Sequence, residues 1–296
     1  MDKKLIFSSF WLKVIALFTM TIDHVGLLLT YLFPLNNDIV VLSNIFRIIG
    51  RLALPLFVFM IVEGTIHTKS IKKYLLRLGI MATLISIFLA IVTYVPFNFD
   101  TGGIEGFGNI FLDLLLVAIT IYCLNHKNWH IKLLALLPLI FSIGSFAVKC
   151  YENSTHNHVL WFPEFLYLQY DFYSILLGIG FYAAYYLGNK YIESYSNKNG
   201  VDRYTFDMNG TTRFAINLIA ITSLIIVTFI HYAMKYVWPS GVYWDTSIQL
   251  YAMFSAIFIL FYNGKRGYNA KWFQYGSYLY YPLHLIIIIG IYLILG

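Results

Sequence analysis

Charged residues are scarce in this chain of 296 residues: only 11% are Asp, Glu, Lys or Arg, whereas 59% are hydrophobic. A typical soluble domain carries about 25% charged residues. Apolar runs long enough to cross a bilayer recur from end to end and leave no room for a separate soluble domain. We therefore predict one domain over residues 1–296, an all-α polytopic membrane protein.

Cysteine is also rare, with only Cys123 and Cys150 in the chain. They fall at opposite ends of neighbouring predicted spans, so we expect no disulfide, and two cysteines make no metal site. No basic stretch interleaved with aromatic residues accompanies the net charge of +6. Basic loops explain that charge better than nucleic-acid binding does, and membrane lipids are the expected surroundings.

The first apolar segment lacks the short apolar core and the cleavage site of a signal peptide, so we expect it to be retained as a span. The chain as a whole predicts a bundle of about nine membrane-spanning helices, and a tenth hidden in residues 150–170 is the alternative. The predicted spans cover residues 10–33, 39–63, 71–95, 109–124, 130–149, 167–188, 212–237, 247–263 and 272–295.

The connections between these spans alternate in charge, which predicts the orientation of the bundle. The positive-inside rule assigns the basic connections, and with them the amino terminus, to the cytoplasm. The basic connections contain Lys3, Lys4, Lys69, Lys72, Lys73, Arg77, Lys127, Lys132, Lys265, Arg266 and Lys271, and the acidic ones contain Asp100, Glu105, Glu152 and Glu164.

Ionisable residues inside the spans are the best indication of function, because each costs roughly 2.5–3.5 kcal/mol to insert. In the first span Lys13 and His24 are separated by three turns plus about 20°, so they share one helix face about 16 Å apart along the axis. Asp23 precedes His24 and diverges from it by about 100°. It is either the partner of His24 or faces a different neighbour.

Other spans bring polar residues to similar depths, which predicts a site at the centre of the bundle. The alternative is that the arginines are structural partners of the two carboxylates, which lie near helix starts where they favour the helix dipole. Pro55 is expected to kink the second span just past the arginines. The residues are Arg47, Arg51, Asp113, Asp171 and His284.

Two kinds of function fit these residues, and a membrane assembly factor with a degenerate site is a third possibility, against which the intact polar residues argue. In an acyltransferase, cytoplasmic cations hold the phosphates of a coenzyme A thioester, His24 acts as a base or acyl carrier, and an arginine stabilises the oxyanion. In a proton-coupled transporter, Asp23, His24 and Asp171 form a relay. We see no internal repeat of the kind that marks many transporters.

Several segments resemble the TraX family of integral membrane proteins, within the wider acyltransferase-3 superfamily. The family's first-helix pattern, a basic residue followed by a catalytic histidine, maps onto Lys13 and His24, although lysine replaces the usual arginine and loses its planar fork. The closing motif maps onto Tyr281, Pro282 and His284. The matching stretches are residues 12–24, 46–57, 62–68, 72–78, 262–267 and 273–284.

The resemblance implies acetyl transfer from acetyl-CoA, and we predict a membrane-embedded acetyltransferase of the bacterial cytoplasmic membrane. The acceptor is extracytoplasmic, either a pilin or other peptide amine or a cell-surface glycan hydroxyl, and a homo-oligomer is left open. The predicted catalytic residues are His24, Asp23, Arg47 and Arg51, the predicted acetyl-CoA contacts are Lys13, Lys72, Lys73 and Arg266, and the predicted substrate contacts are His284, Tyr281, Asp171 and Asp113.

Overall fold

A computed structural model describes residues 5–94, 108–237 and 246–295. Lys3, Lys4, Asp100 and Glu105, on which part of the predicted orientation depends, lie outside the described residues. The described chain forms the helices α1 (Ser9–Leu32), α2 (Asn37–Gly50), α3 (Ala53–His67), α4 (Ile71–Tyr94), α5 (Ile110–Leu124), α6 (Trp129–Leu133), α7 (Leu136–Thr155), α8 (Asp171–Asn199), α9 (Arg203–Met208), α10 (Thr211–Val237), α11 (Thr246–Gln249), α12 (Ala256–Leu260) and α13 (Lys271–Leu295).

The prediction of an all-α polytopic membrane protein is confirmed. Within the described ranges, six helical stretches are long and apolar enough to cross a membrane, and two shorter apolar helices accompany them. Together with the more polar α8, they overlap the nine predicted segments, although several boundaries differ. The orientation of the amino terminus stays a prediction.

Several predicted boundaries are wrong. The span predicted to end at 149 continues to Thr155, and the one predicted to start at 167 begins at Asp171 and reaches Asn199. The predicted span 247–263 is built from α11, a 3-10 turn and α12, and it ends at Leu260. Hydropathy records where apolar side chains stop, whereas a helix continues as long as its backbone hydrogen bonds are satisfied.

The second predicted span is broken into α2 and α3 at Arg51–Leu52. Pro55 lies in the first turn of α3, where its missing N–H leaves the Arg51 carbonyl without its usual partner. The helix is therefore interrupted next to the position where the kink is predicted, and the interruption includes Arg51.

Two glycines let α1 and α2 pack closely. A Cβ atom on Gly26 would lie 2.8 Å from Cβ of Phe46 and 2.9 Å from the carbonyl oxygen of Ser43. A Cβ atom on Gly50 would collide with the side chain of Asp23. Small residues permit such backbone approach between membrane helices, and the hydroxyl of Ser43 donates to the Gly26 carbonyl at 2.6 Å.

The first residues of α1 are held against the loop that precedes α13. The amides of Ser9 and Phe10 donate to the carbonyls of Lys265 and Arg266 at 2.9 and 3.0 Å. The Ser9 hydroxyl also hydrogen-bonds the Tyr262 hydroxyl at 2.8 Å. These bonds bring the beginning of α1 and the predicted basic loop 265–271 to the same end of the bundle, which we call the basic end.

Candidate functional site

Asp23 and His24, the adjacent ionisable residues of the first span, line a cavity of about 130 Å³. It is bounded by α1, the α2–α3 break, α4, α13 and the segment before α8, and we call it the histidine cavity. Leucine, isoleucine and phenylalanine make up nearly half of its lining residues. The polar groups in its wall are Asp23, His24, Arg47, Arg51, Gln169, Tyr31, Tyr170, Tyr281 and Tyr292.

Asp23 forms an ion pair with Arg51, whose Nη2 donates to Oδ1 of the carboxylate. Nε of Arg51 also donates to the carbonyl of Arg47 at 3.1 Å. Both side chains of the pair are largely buried, with 16% of Asp23 and 12% of Arg51 exposed. Asp23 thus faces a neighbour other than His24, which was one of the two alternatives for it.

Arg47 lines the same cavity, and its buried Nε has no hydrogen-bond partner among the described residues. The arginines were expected, as one alternative, to pair with Asp113 or Asp171. That alternative is wrong for Arg51, and no such pair is formed by Arg47 in the described part of the chain. Arg47 therefore retains donors for a ligand in the cavity.

His24 is hydrogen-bonded to His284 on the last helix, with 2.9 Å between Nδ1 of His24 and Nε2 of His284. Nδ1 of His284 lies 3.0 Å from the carbonyl oxygen of Tyr280. His284 is buried, with 6% of the residue exposed, whereas His24 reaches the cavity wall. The ring of Tyr281 meets both imidazoles edge-on, at 6.2 Å from His24 and 5.4 Å from His284.

A second and larger cavity of about 580 Å³ lies on the side of the basic end. Its wall includes Lys13, Arg77 and Arg266, and we call it the basic cavity. Lys13 and Arg77 carry like charges in the wall of one cavity. No ion pair to a carboxylate is formed by these three cations within the described residues. A cavity with several unneutralised cations attracts a multiply charged anion.

The acidic residue Glu63 also reaches the basic cavity, yet its charge is already neutralised. Arg213 donates from Nη2 to Glu63 at 3.1 Å and from Nη1 to the Tyr185 hydroxyl at 2.7 Å. Its guanidinium also lies over the Tyr262 ring, 4.3 Å from the centroid. The excess of positive charge in this cavity therefore persists beside a carboxylate.

Four residues line both cavities and form the partition between them: Met20, Phe57, Ile110 and Tyr281. All four carry large side chains, and three of these are purely apolar. The partition is crossed by α1, which carries Lys13 into the basic cavity and His24 into the histidine cavity. One helix thus links the cation and the imidazole, as the spacing of the sequence predicted.

Two of the predicted acetyl-CoA contacts lie elsewhere. Lys72 and Lys73 are exposed at the start of α4 and line neither of the two cavities. Arg77, one turn further along α4, points into the basic cavity instead. The charge pattern of the sequence identified residues 69–77 as basic but did not show that Arg77 is the residue that faces the cavity.

Asp113 and Asp171 line neither of these two cavities, and their contact with substrate stays a prediction. Asp171 pairs with the buried Lys149 and accepts from Ser145 at 2.7 Å. Asp113 is fully buried and accepts from the amide of Gln169 at 2.7 Å and from Ser174 at 2.9 Å. Both carboxylates are satisfied by neighbouring helices and backbone.

The two carboxylates act on the histidine cavity through the segment that they hold. Asp113 also accepts from the Tyr170 amide at 3.3 Å, and Lys149 donates to the Leu168 carbonyl at 2.8 Å. Gln169 and Tyr170 line the cavity, and the sequence reasoning missed both. Their only signal was their position directly before Asp171, at the start of a predicted span.

The fold and the site define a class: a polytopic helical membrane protein in which the basic cavity and the histidine cavity share one wall. The chain belongs to the TraX protein family, which it matches over residues 8–292.

A probable fimbrial assembly protein, FimC of serogroup H1 from Dichelobacter nodosus, is 30% identical over 154 residues. That match covers 51% of this chain and 59% of the relative, so the chain spans well under two thirds of the protein it matches. No solved structure matches the chain.

Proposed function

We propose that this protein is a membrane-embedded acetyltransferase of the bacterial cytoplasmic membrane, within the acyltransferase-3 superfamily, with its amino terminus in the cytoplasm. It takes acetyl groups from cytosolic acetyl-CoA and delivers them to an acceptor that enters from the other side. The observation that supports the proposal is the shared wall: the basic cavity and the histidine cavity meet at Met20, Phe57, Ile110 and Tyr281.

The basic cavity suits the donor. Acetyl-CoA carries several phosphate charges, and Lys13, Arg77 and Arg266 supply cations without carboxylate partners among the described residues. Arginine forms bidentate hydrogen bonds with phosphate, whereas lysine acts as a point charge. Phosphates held at the basic end would leave the thioester arm free to reach the partition, since α1 covers about 16 Å between Lys13 and His24.

The histidine cavity suits the transfer step. His24 accepts a proton from the acceptor amine or hydroxyl as that group attacks the thioester carbonyl. The new C–N or C–O bond forms, the C–S bond breaks, and the proton passes on to the departing coenzyme A thiolate. Arg47 supplies a donor for the transient oxyanion, because its Nε is unpaired within the described residues and its side chain lines the cavity.

For the acceptor, we favour the amino group of a fimbrial subunit over a glycan hydroxyl. The support is the relative whose printed name concerns fimbrial assembly. The small and mostly apolar histidine cavity fits a terminal amine on an apolar peptide segment better than a bulky, heavily hydroxylated sugar.

The test is acetyl transfer by the purified full chain in lipid nanodiscs, with radiolabelled acetyl-CoA and a peptide bearing a free terminal amine. We expect labelled peptide with the unmodified protein and none with His24→Ala. His130→Ala, which changes an exposed histidine outside both cavities, is the matched control and retains activity. Full activity in His24→Ala would contradict the proposed site.

The proton-coupled transporter has less support. Its relay required Asp171 to communicate with His24, yet Asp171 pairs with Lys149 and Ser145. Solute uptake into proteoliposomes that follows a pH gradient and needs no acetyl-CoA would reverse this preference.

A further inference from the structure

The two hydrogen bonds of His284 determine which nitrogen of His24 carries a proton. A carbonyl oxygen only accepts hydrogen bonds, so Nδ1 of His284, 3.0 Å from the Tyr280 carbonyl, is the donor in that bond. A neutral imidazole carries one N–H. Nε2 of His284 is therefore an acceptor, and it lies 2.9 Å from Nδ1 of His24.

From this chain of donors and acceptors we infer that His284 is a positioning residue that holds His24 in the Nδ1–H tautomer, with the Nε2 lone pair directed to the histidine cavity. Protons are assigned in this way from the hydrogen-bond network that surrounds a histidine. Among the described residues, Nε2 of His24 has no hydrogen-bond partner, although His24 lines the cavity.

The groups around His24 and His284 disfavour a protonated, positively charged imidazole. An imidazolium inside the bundle would need a carboxylate partner. The near carboxylate, Asp23, is engaged by Arg51, and within the described ranges neither imidazole forms an ion pair. Other groups against the rings are Tyr280, which stacks on His284, Tyr281, which meets both edge-on, and the Met20 backbone beside His24, and none of them is a carboxylate.

His284 resembles the orienting member of a catalytic triad: its Nε2 accepts the hydrogen bond from His24 and so orients His24 as a base. In serine hydrolases a carboxylate binds Nδ1–H of the histidine and leaves Nε2 to take the proton. Here a second imidazole, itself fixed by a backbone carbonyl, occupies the place of the carboxylate. For its chemical purpose this inference rests on the proposed acetyl transfer, but the tautomer itself does not.

The test is therefore a spectroscopic one that needs no turnover. The full chain, labelled with ¹⁵N-histidine and held in lipid nanodiscs, is studied by solid-state NMR, and the His24 signals are identified by their loss in His24→Gln. We expect Nδ1 of His24 to show the shift of a protonated nitrogen and Nε2 that of an unprotonated one. A proton on Nε2, or on both nitrogens, would overturn the inference.

Two substitutions of His284 distinguish a role in positioning His24 from a role in packing alone. His284→Gln keeps an acceptor for His24 and should preserve its tautomer, whereas His284→Phe keeps a ring but removes the acceptor and should shift the proton towards Nε2. His231→Gln, at a buried histidine outside both cavities, should leave the His24 signals unchanged. Unchanged His24 signals in His284→Phe would overturn the inference.

Transfer kinetics then test the purpose of the arrangement. His284→Phe should lower kcat by about 10²- to 10⁴-fold, the range of a general base, while KM for acetyl-CoA stays unchanged and His284→Gln restores part of the rate. The expected tautomer in a protein that transfers no acetyl group would refute the proposed function and leave the positioning role intact.

Discussion

Asp23 on α1 and Arg51 at the end of α2 form an ion pair inside the histidine cavity. The pair connects the two helices at the point where the second span breaks. Asp23 is adjacent to His24 in sequence, yet among the described residues its carboxylate forms its ion pair with Arg51 and not with the imidazole. The carboxylate therefore acts on the site by holding a guanidinium in place.

Removing one member of this pair should cost more than removing both. Breaking a buried pair typically destabilises a protein by about 3–5 kcal/mol, because a charge is left uncompensated, whereas replacing both partners can be neutral. We expect Asp23→Leu and Arg51→Met each to lower the thermal stability in detergent, and the double variant to recover most of it. Additive losses in the double variant would show that the two side chains are not energetically coupled.

Gly50 should be intolerant of any side chain, because its backbone is where Asp23 packs. We expect Gly50→Ala to displace Asp23, to cost about 1–3 kcal/mol as an overpacked site, and to reduce acetyl transfer. Gly144→Ala is the matched control, since a Cβ atom there meets nothing within 4 Å. Thermal unfolding of both variants checks the difference, and equal stability would contradict the close packing of α1 on α2.

The sequence predicted the all-α membrane fold and located the polar groups within α1, because an apolar run that spans a bilayer and a polar group inside it are both local signals. Lys13 and His24 share a face by helical periodicity alone. The partner of Asp23 could not be predicted, since it depends on the break at Arg51 and on the approach permitted by Gly50. Tyr170 could not be predicted for the same reason: the contacts that hold its segment, such as the bond from its amide to Asp113, join residues far apart in sequence.

Arg77 and Lys72 offer a direct comparison of a cation inside the basic cavity with one outside it. We expect Arg77→Gln to raise KM for acetyl-CoA about tenfold, which corresponds to about 1.4 kcal/mol of lost charge-assisted binding, with little change in kcat. Lys72→Gln, on the exposed start of the same helix, should have no such effect. Initial rates over a range of acetyl-CoA concentrations test both variants, and equal KM values would place the phosphates elsewhere.

Lys149 should stabilise the protein and shape the histidine cavity from a distance. Its side chain is 4% exposed, pairs with the fully buried Asp171 and donates to the carbonyl of Leu168. Lys149→Met would leave a carboxylate buried without its cation, so we expect a loss of about 3–5 kcal/mol and looser placement of Tyr170.

Asp171→Asn in the same chain should recover part of the stability, and Lys132→Met, at an exposed lysine of α6, should change neither stability nor transfer. Hydrogen exchange of the segment 167–170 measures the second effect: faster exchange in Lys149→Met is expected, and unchanged exchange would show that Lys149 does not hold the segment.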